Sequence, residues 1–373
     1  MMQVESITLR EIRMNLREPF EISSGVEEER RILLLELREA DGTSAWSECV
    51  AGNAPNYFPE TVDSAWVVIK NWLAPRVIGR EFESADEVGP AVEQDVRGNN
   101  MARAAVEMGF WALQAEMENI PLAKLLGGTR DKVSAGISIG IQPDVETLIS
   151  KAERAIGEGY SKIKIKIKPD KDVEYVRAVR EALGDDVAIM ADANSAYTLD
   201  DVSTLRRLDE FNLVTIEQPL AWDDLIQHAD LQQRIKTPIC LDESITTLTR
   251  AREMVKLGSG KIINIKPGRV GGLRQSKFIH DFAEENGVPV WCGGMLESGI
   301  GRAHNIALAS LPNFSLPSDL SPSHRYWDRD IVRQEWTMDP QGYVQVPHAP
   351  GIGVDVDVDF VDDLTVQSEE ITS

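Results

Sequence analysis

Cysteine is scarce in this chain: three stand among 373 residues, and Cys49, Cys240 and Cys292 offer no CxxC spacing. An odd, scattered set excludes a disulfide framework and a thiolate zinc site, so three buried, reduced and passive thiols are expected. The five histidines form no HExxH pair, and nothing reads as a nucleophile elbow. Cations are in deficit, 39 Lys and Arg against 61 Asp and Glu, for a net charge of −22. Such a balance repels phosphate backbones and anionic lipid, which argues against nucleic-acid and membrane partners. It reads as a solvated acidic surface. No apolar run is long enough to cross a bilayer. The start, MMQVESITLREIRMNL, lacks a basic stretch followed by an apolar one, so no secretion leader and a cytoplasmic location are expected.

What is present is size and rhythm. A barrel of parallel strands takes about 250 residues, so 373 fit one barrel with a smaller companion. Residues 4–16, 31–38 and 45–50, with Asp41-Gly42 between the last two, predict an antiparallel meander. Helical spacing covers 60–73 and 100–118, and Gly127-Gly128 ends this α+β part. From Val133 onward strand and helix patterns alternate: VSAGISIGI, KIKIKIK, VAIMAD, LVTIEQP, ICLDES, IINIKP and VPVWCGG are each followed by a helical stretch. Seven such units predict an α/β fold of the modified TIM-barrel, (β/α)7β, type. The division expected is a capping domain over 1–128, a barrel over 129–320, and a C-terminal segment, 321–373, returning to complete the cap. Within it, 351–360 alternates valine with aspartate and predicts the returning edge strand rather than a calcium loop.

Five charged residues recur along the barrel at nearly one interval: Lys166, Asp192, Glu217, Asp242 and Lys266, separated by 26, 25, 25 and 24 positions. That is the length of one strand-loop-helix-loop unit, so each falls at the end of a successive strand and all face one mouth. Three buried carboxylates together repel one another unless a cation joins them. With no sulfur or imidazole nearby, oxygen ligation favours magnesium, with manganese the alternative. Lys164, Lys166 and Lys168 alternate on one face of their strand, and that face looks inward in a barrel. Burial among other cations lowers a lysine pKa and frees a neutral amine to act as a base. Lys266 comes from the opposite side. Two amines across a cation suit removal of a proton next to a carboxylate, the cost lying in the ene-diolate that forms.

The segments KIKIK, DANSAYT, IEQPL, LDES and NIKPGRVGG resemble the enolase superfamily, in its muconate-lactonizing subgroup with paired lysines. The Lys base and magnesium-stabilised ene-diolate are a general property of that superfamily. PVWCGGMLESGIGRAHNIALASLPNFSLPSD is similar to the branch holding o-succinylbenzoate synthases and N-acylamino acid racemases. The likeness runs from PFEISSG to the C-terminal return. It implies Asp192, Glu217 and Asp242 as magnesium ligands and Lys166 and Lys266 as the catalytic pair. For the dehydration it implies that Lys166 takes the α-proton of a cyclohexadiene carboxylate and assists loss of hydroxide, with Lys266 over the other face. For racemisation, both lysines alternate as acid and base. A small-molecule carboxylate substrate and a homo-oligomer are also implied. Lys164 and Asn194 are expected to hold the substrate carboxylate or the lysine pair, with Glu243 beside a ligand as a support, and Ser138, at the end of the first barrel strand, to face the substrate. Gly294, Met295 and Leu296 are expected along the distal part of the substrate, and Phe20 and Tyr57 as lids from the first domain. Dipeptide epimerase is less favoured, because Ser318-Asp319-Leu320-Ser321 replaces an Asp-x-Asp pair, and muconate cycloisomerase matches GGMLESG less well. A binding-only barrel has no use for opposed amines. GRVGG reads as a tight turn into a helix, not a phosphate loop.

Overall fold

The computed structural model describes residues 1–372. The meander forms as β1 (Val4–Ile22), β2 (Gly25–Glu39) and β3 (Ser44–Cys49), antiparallel neighbours with Leu9 opposite Leu35 and Leu35 opposite Ser47. The helix Asn100–Met117 lies against this sheet and is buried along almost its whole length. Small residues let it approach: a Cβ on Gly109 would stand 2.6 Å from a Leu37 methyl, and the Ser47 hydroxyl donates to the Ala105 carbonyl at 2.6 Å.

Seven parallel strands follow in sequential order: β5 (Ile137–Ile139), β6 (Ile163–Lys166), β7 (Ile189–Asp192), β8 (Thr215–Glu217), β9 (Ile239–Leu241), β10 (Ile262–Ile265) and β11 (Val290–Cys292). VSAGISIGI is thus not one strand. Its first half is β4 (Lys132–Ser134), which pairs antiparallel with β12 (Tyr343–Gln345), and Gly136 marks the break. A Cβ there would meet the Lys162 side chain at 2.3 Å. Ser318 and Asp319 close the ring in the eighth position. The Asp319 amide donates to the Cys292 carbonyl at 2.9 Å on one side, and the Ser318 carbonyl accepts from Gly136 at 2.6 Å on the other.

The C-terminal return differs in place from the expectation. Residues 351–357 form a loop whose Val356 makes a single bridge to Val332, and Val358–Leu364 is helical. The strand that joins the cap is β13 (Thr365–Thr372), antiparallel to β1. Alternation in VDVDVD therefore serves a short bridge, with the Asp355 carbonyl accepting from Arg333 and the Asp357 amide donating to Ile331.

Two buried glutamates of the cap hold barrel helices by their amino ends. Glu48 accepts from the Ser298 amide and hydroxyl and from the Gly301 amide; Glu107 accepts from the amides of Leu273 and Arg274, both at 2.8 Å. Carboxylates at helix N-termini satisfy amides that lack helical partners. Gly272 is required here, with φ +121° and room for no Cβ beside the Glu107 carboxylate. GRVGG is accordingly a short helix, Pro267–Val270, and a turn into Leu273–Glu285. Among the described residues no helix is long and apolar enough to cross a membrane.

Candidate active site

Parallel pairing in register brings the charged strand ends together. Lys166 pairs with Asp192, and Asp192 with Glu217. Backbone conformations of positive φ cluster just beyond these ends, at Asn194, Ser195, Gln218 and Leu296. Non-glycine residues persist there only when their surroundings hold them, as functional mouths commonly do. Gln218 shows the means: its Oε1 accepts from the amides of Asp242 at 3.1 Å and Ser244 at 3.3 Å, fixing the turn that carries Asp242.

Each of the three carboxylates has one oxygen fixed by a partner other than an amine. Asp192 Oδ1 accepts from the Asn194 amide at 3.1 Å, Glu217 Oε1 from Asn264 Nδ2 at 2.7 Å, and Asp242 Oδ1 from Arg269. The second oxygens meet ammonium groups. Lys166 Nζ lies 2.5 Å from Asp192 Oδ2, Lys164 Nζ lies 3.0 Å from Glu217 Oε2, and Lys266 Nζ lies 2.7 Å from Asp242 Oδ2. Lys164 also reaches Asp192 at 3.4 Å and Asp319 at 2.7 Å. Among the described residues no three acidic, His or Cys side chains converge in ligating geometry; the acids expected to share one ion are each turned to a lysine. The donor set itself suits a hard divalent cation: three carboxylates on adjacent strand ends, one oxygen of each held and the other bound only by flexible donors. Magnesium would be held by Asp192, Glu217 and Asp242.

The protonation balance separates the two opposed lysines. Burial pushes Lys166 below the ordinary lysine range, only partly opposed by Asp192. Lys266 is equally buried, but Tyr57, Glu217 and Glu243 outweigh burial and hold its ammonium above that range. Burial would raise Asp192 as well; Lys166 and Lys164 prevail and keep it well below the usual carboxylate range. Burial and then Asp192 raise Glu217, and the same two causes push Glu243 up to about 7. Glu243 Oε1 accepts from Asn194 Nδ2 at 2.9 Å, and Asn194 Oδ1 accepts from Lys166 at 2.7 Å, so Asn194 bridges the two.

Lys166, Lys266, Asn194, Gly294, Met295, Leu296, Phe20 and Tyr57 line one cavity between cap and barrel. Tyr57 does more than cover it: its hydroxyl accepts from Lys266 Nζ at 2.8 Å and donates to Asp242 Oδ2 at 3.1 Å. The Gly294–Leu296 loop is fixed by Glu297, whose Oε1 accepts from the Met295 amide at 2.8 Å. Lys164 and Ser138 lie deeper and do not line the cavity. Lys164 is held among acids, and the Ser138 hydroxyl, opposite Lys164 in register, is buried without a partner among the described residues. Ser138 has a glycine two places to each side but lies in mid-strand, so it is no elbow. Lys168 leaves the site: the strand ends at Lys166, and Lys168 Nζ bonds Glu21 of the cap at 3.0 Å. Lys162 joins instead, 3.2 Å from Asp319 and 3.9 Å from the centre of the Trp291 ring.

Several of these residues went unread in sequence. Lys162 continues the same alternation one step inward, and Asn264 precedes Lys266 by two on β10, so both carry a strand-face signal. Asp319 and Arg269 stand in the Ser318–Ser321 and NIKPGRVGG segments, but only tertiary closure brings them to Lys164 and Asp242.

Residues 4–127 match the mandelate racemase / muconate lactonizing enzyme N-terminal domain, and residues 147–360 match the enolase C-terminal domain-like family. An o-succinylbenzoate synthase of Geobacillus kaustophilus is 50% identical across 95% of this chain and 94% of its own. An N-succinylamino acid racemase of Thermus thermophilus is 45% identical across 98% of both chains. The crystal structure of an enolase-superfamily member from Listeria innocua superposes with a TM-score of 0.96 at 38% identity, covering 100% of each chain.

Proposed function

On the premise that this chain belongs to the enolase superfamily, in its mandelate racemase / muconate lactonizing enzyme family, we propose that it is an o-succinylbenzoate synthase. The reaction is dehydration of 2-succinyl-6-hydroxy-2,4-cyclohexadiene-1-carboxylate to 2-succinylbenzoate. The observation that carries this reading is the pair of amines, Lys166 from β6 and Lys266 from just beyond β10, facing one cavity above three strand-end carboxylates.

Lys166, pushed toward its neutral form, takes the proton from the carbon beside the substrate carboxylate. The same amine, now ammonium, delivers a proton to the departing hydroxide, which leaves as water as the ring becomes aromatic. Lys266 stays charged and opposes the negative charge that develops on the ene-diolate. Magnesium held by Asp192, Glu217 and Asp242 would supply charge neutralisation for the ene-diolate. Asn194 orients the Lys166 amine, and the Phe20 and Tyr57 walls exclude water. A small-molecule carboxylate is therefore the partner this site serves.

A second reading is favoured by the opposed placement itself. With an N-succinylamino acid in the same cavity, one lysine removes the α-proton and the other returns a proton to the opposite face, giving racemisation. Both reactions share the first step, so one protein can perform both. Turnover of the cyclohexadiene and of N-succinyl-phenylglycine by purified protein with magnesium tests the pair. Dehydration at a kcat/KM at or above that of racemisation supports the synthase reading; racemisation alone replaces it with the second.

A further inference from the structure

The cavity has a second charged end. Arg30, on β2, lines its cap side; the residue is 4% exposed, and its Nε and Nη2 are buried with no hydrogen-bond partner among the described residues. A buried guanidinium without a hydrogen-bond acceptor is costly, its desolvation offset only through space, by Glu27 and Glu48. The nearby acids bond other donors. Glu48 takes the Ser298 and Gly301 donors, Glu60 the amides of Met101 and Ala102, and one oxygen of Glu27 the side chain of Asn53 at 3.1 Å. The adjacent arginine shows the contrast: Arg31 bonds both oxygens of Glu11 and both of Asp63.

The same cavity is lined by the apolar Phe20, Ile22, Met295 and Leu296, and by the acids Glu27 and Glu60. A ligand suited to it carries an anion at each end and an apolar middle. We propose that Arg30 receives a second, distal carboxylate of the substrate, the terminal carboxylate of a succinyl group, through its planar guanidinium fork. This rests on the preceding reading, in which the first carboxylate sits at the lysine end. A guanidinium matches a carboxylate in shape as well as charge, and a buried charge-assisted pair of this kind is among the stronger hydrogen-bonded contacts. Arg30 thereby selects dicarboxylates over monoanions of equal length, and disfavours tails ending in an amine.

The test compares N-succinyl-phenylglycine with its terminal carboxamide, which differs only at the distal group, in the magnesium-loaded enzyme. In the wild type the succinyl compound is favoured in kcat/KM by roughly 10- to 100-fold, the range for a hydrogen bond to a charged group. Arg30→Met brings that ratio within about threefold of one, chiefly through KM, and Arg30→Lys restores part of it. A wild-type ratio near one, or an unchanged ratio in Arg30→Met, overturns the proposal. Should Arg30→Met not fold, the wild-type ratio alone decides. Failure of the underlying reading looks different: neither compound exchanges its α-proton at all.

Discussion

Lys266 Nζ donates to the Tyr57 hydroxyl at 2.8 Å, joining an amine of the barrel to a phenol of the cap. The same hydroxyl donates to Asp242, so one cap residue touches both an opposed lysine and a candidate ligand. Tyr57→Phe removes both contacts while keeping the ring. Loss of a hydrogen bond to charged groups costs about 1.5–3 kcal/mol, so kcat is expected to fall by roughly 10- to 100-fold with an unchanged thermal midpoint. Steady-state kinetics and a melting curve check this; a variant with wild-type kcat shows the hydroxyl to be idle.

The lowered pKa of Lys166 has a signed consequence. The amine must be neutral to accept a proton, so kcat/KM falls as pH drops through its pKa and holds above it until the Lys266 ammonium loses its proton. Burial places that inflection below the ordinary lysine value of 10.5. A pH profile with its acid limb below 10.5, and loss of this limb together with most activity in Lys166→Gln, is expected. An inflection at or above 10.5 contradicts the assignment.

Glu107 joins the cap to a barrel helix, and burial pushes its carboxyl up to about 7 from 4.5. The folded state keeps a proton that the unfolded chain loses near pH 4.5, so its contribution to stability falls as pH rises from about 4.5 to 7. The rise from 4.5 to about 7 corresponds to about 3 kcal/mol. Denaturant unfolding at pH 5 and pH 8 is expected to show wild type losing ground to Glu107→Gln by an amount of that order. An equal difference at both pH values would mean the carboxyl is not shifted.

Binding of magnesium to the native state alone adds about 2.7 kcal/mol of stability at a hundredfold excess over Kd. A rise in the melting temperature of metal-stripped protein on adding magnesium is therefore predicted, and Asp242→Asn should abolish it along with activity. A rise of equal size in Asp242→Asn would place the cation elsewhere.

The barrel was legible because its units repeat: the spacing of Lys166, Asp192, Glu217, Asp242 and Lys266 is set by strand-helix geometry, and each falls at or within one residue of its strand's end. What failed to show depends on closure. Asp319 reaches Lys162 and Lys164 only because residues 318–319 fill the eighth position, and Arg269 reaches Asp242 only through the turn after β10. The alternation of VDVDVD pointed to a strand, yet the glycines at 351 and 353, both at positive φ, turn the chain, and the pairing strand follows only after a helix. Lys168 shows the limit of periodicity, which marks a face but not where the strand stops.

Exchange of the substrate α-proton with deuterated solvent tests the central claim most directly, since both readings share that step. With magnesium, N-succinyl-phenylglycine is expected to take up deuterium in the wild-type enzyme, and the single variants Lys166→Ala and Lys266→Ala are expected to lose exchange of one enantiomer each. Undiminished exchange of both enantiomers in either variant would contradict the pairing of these two amines.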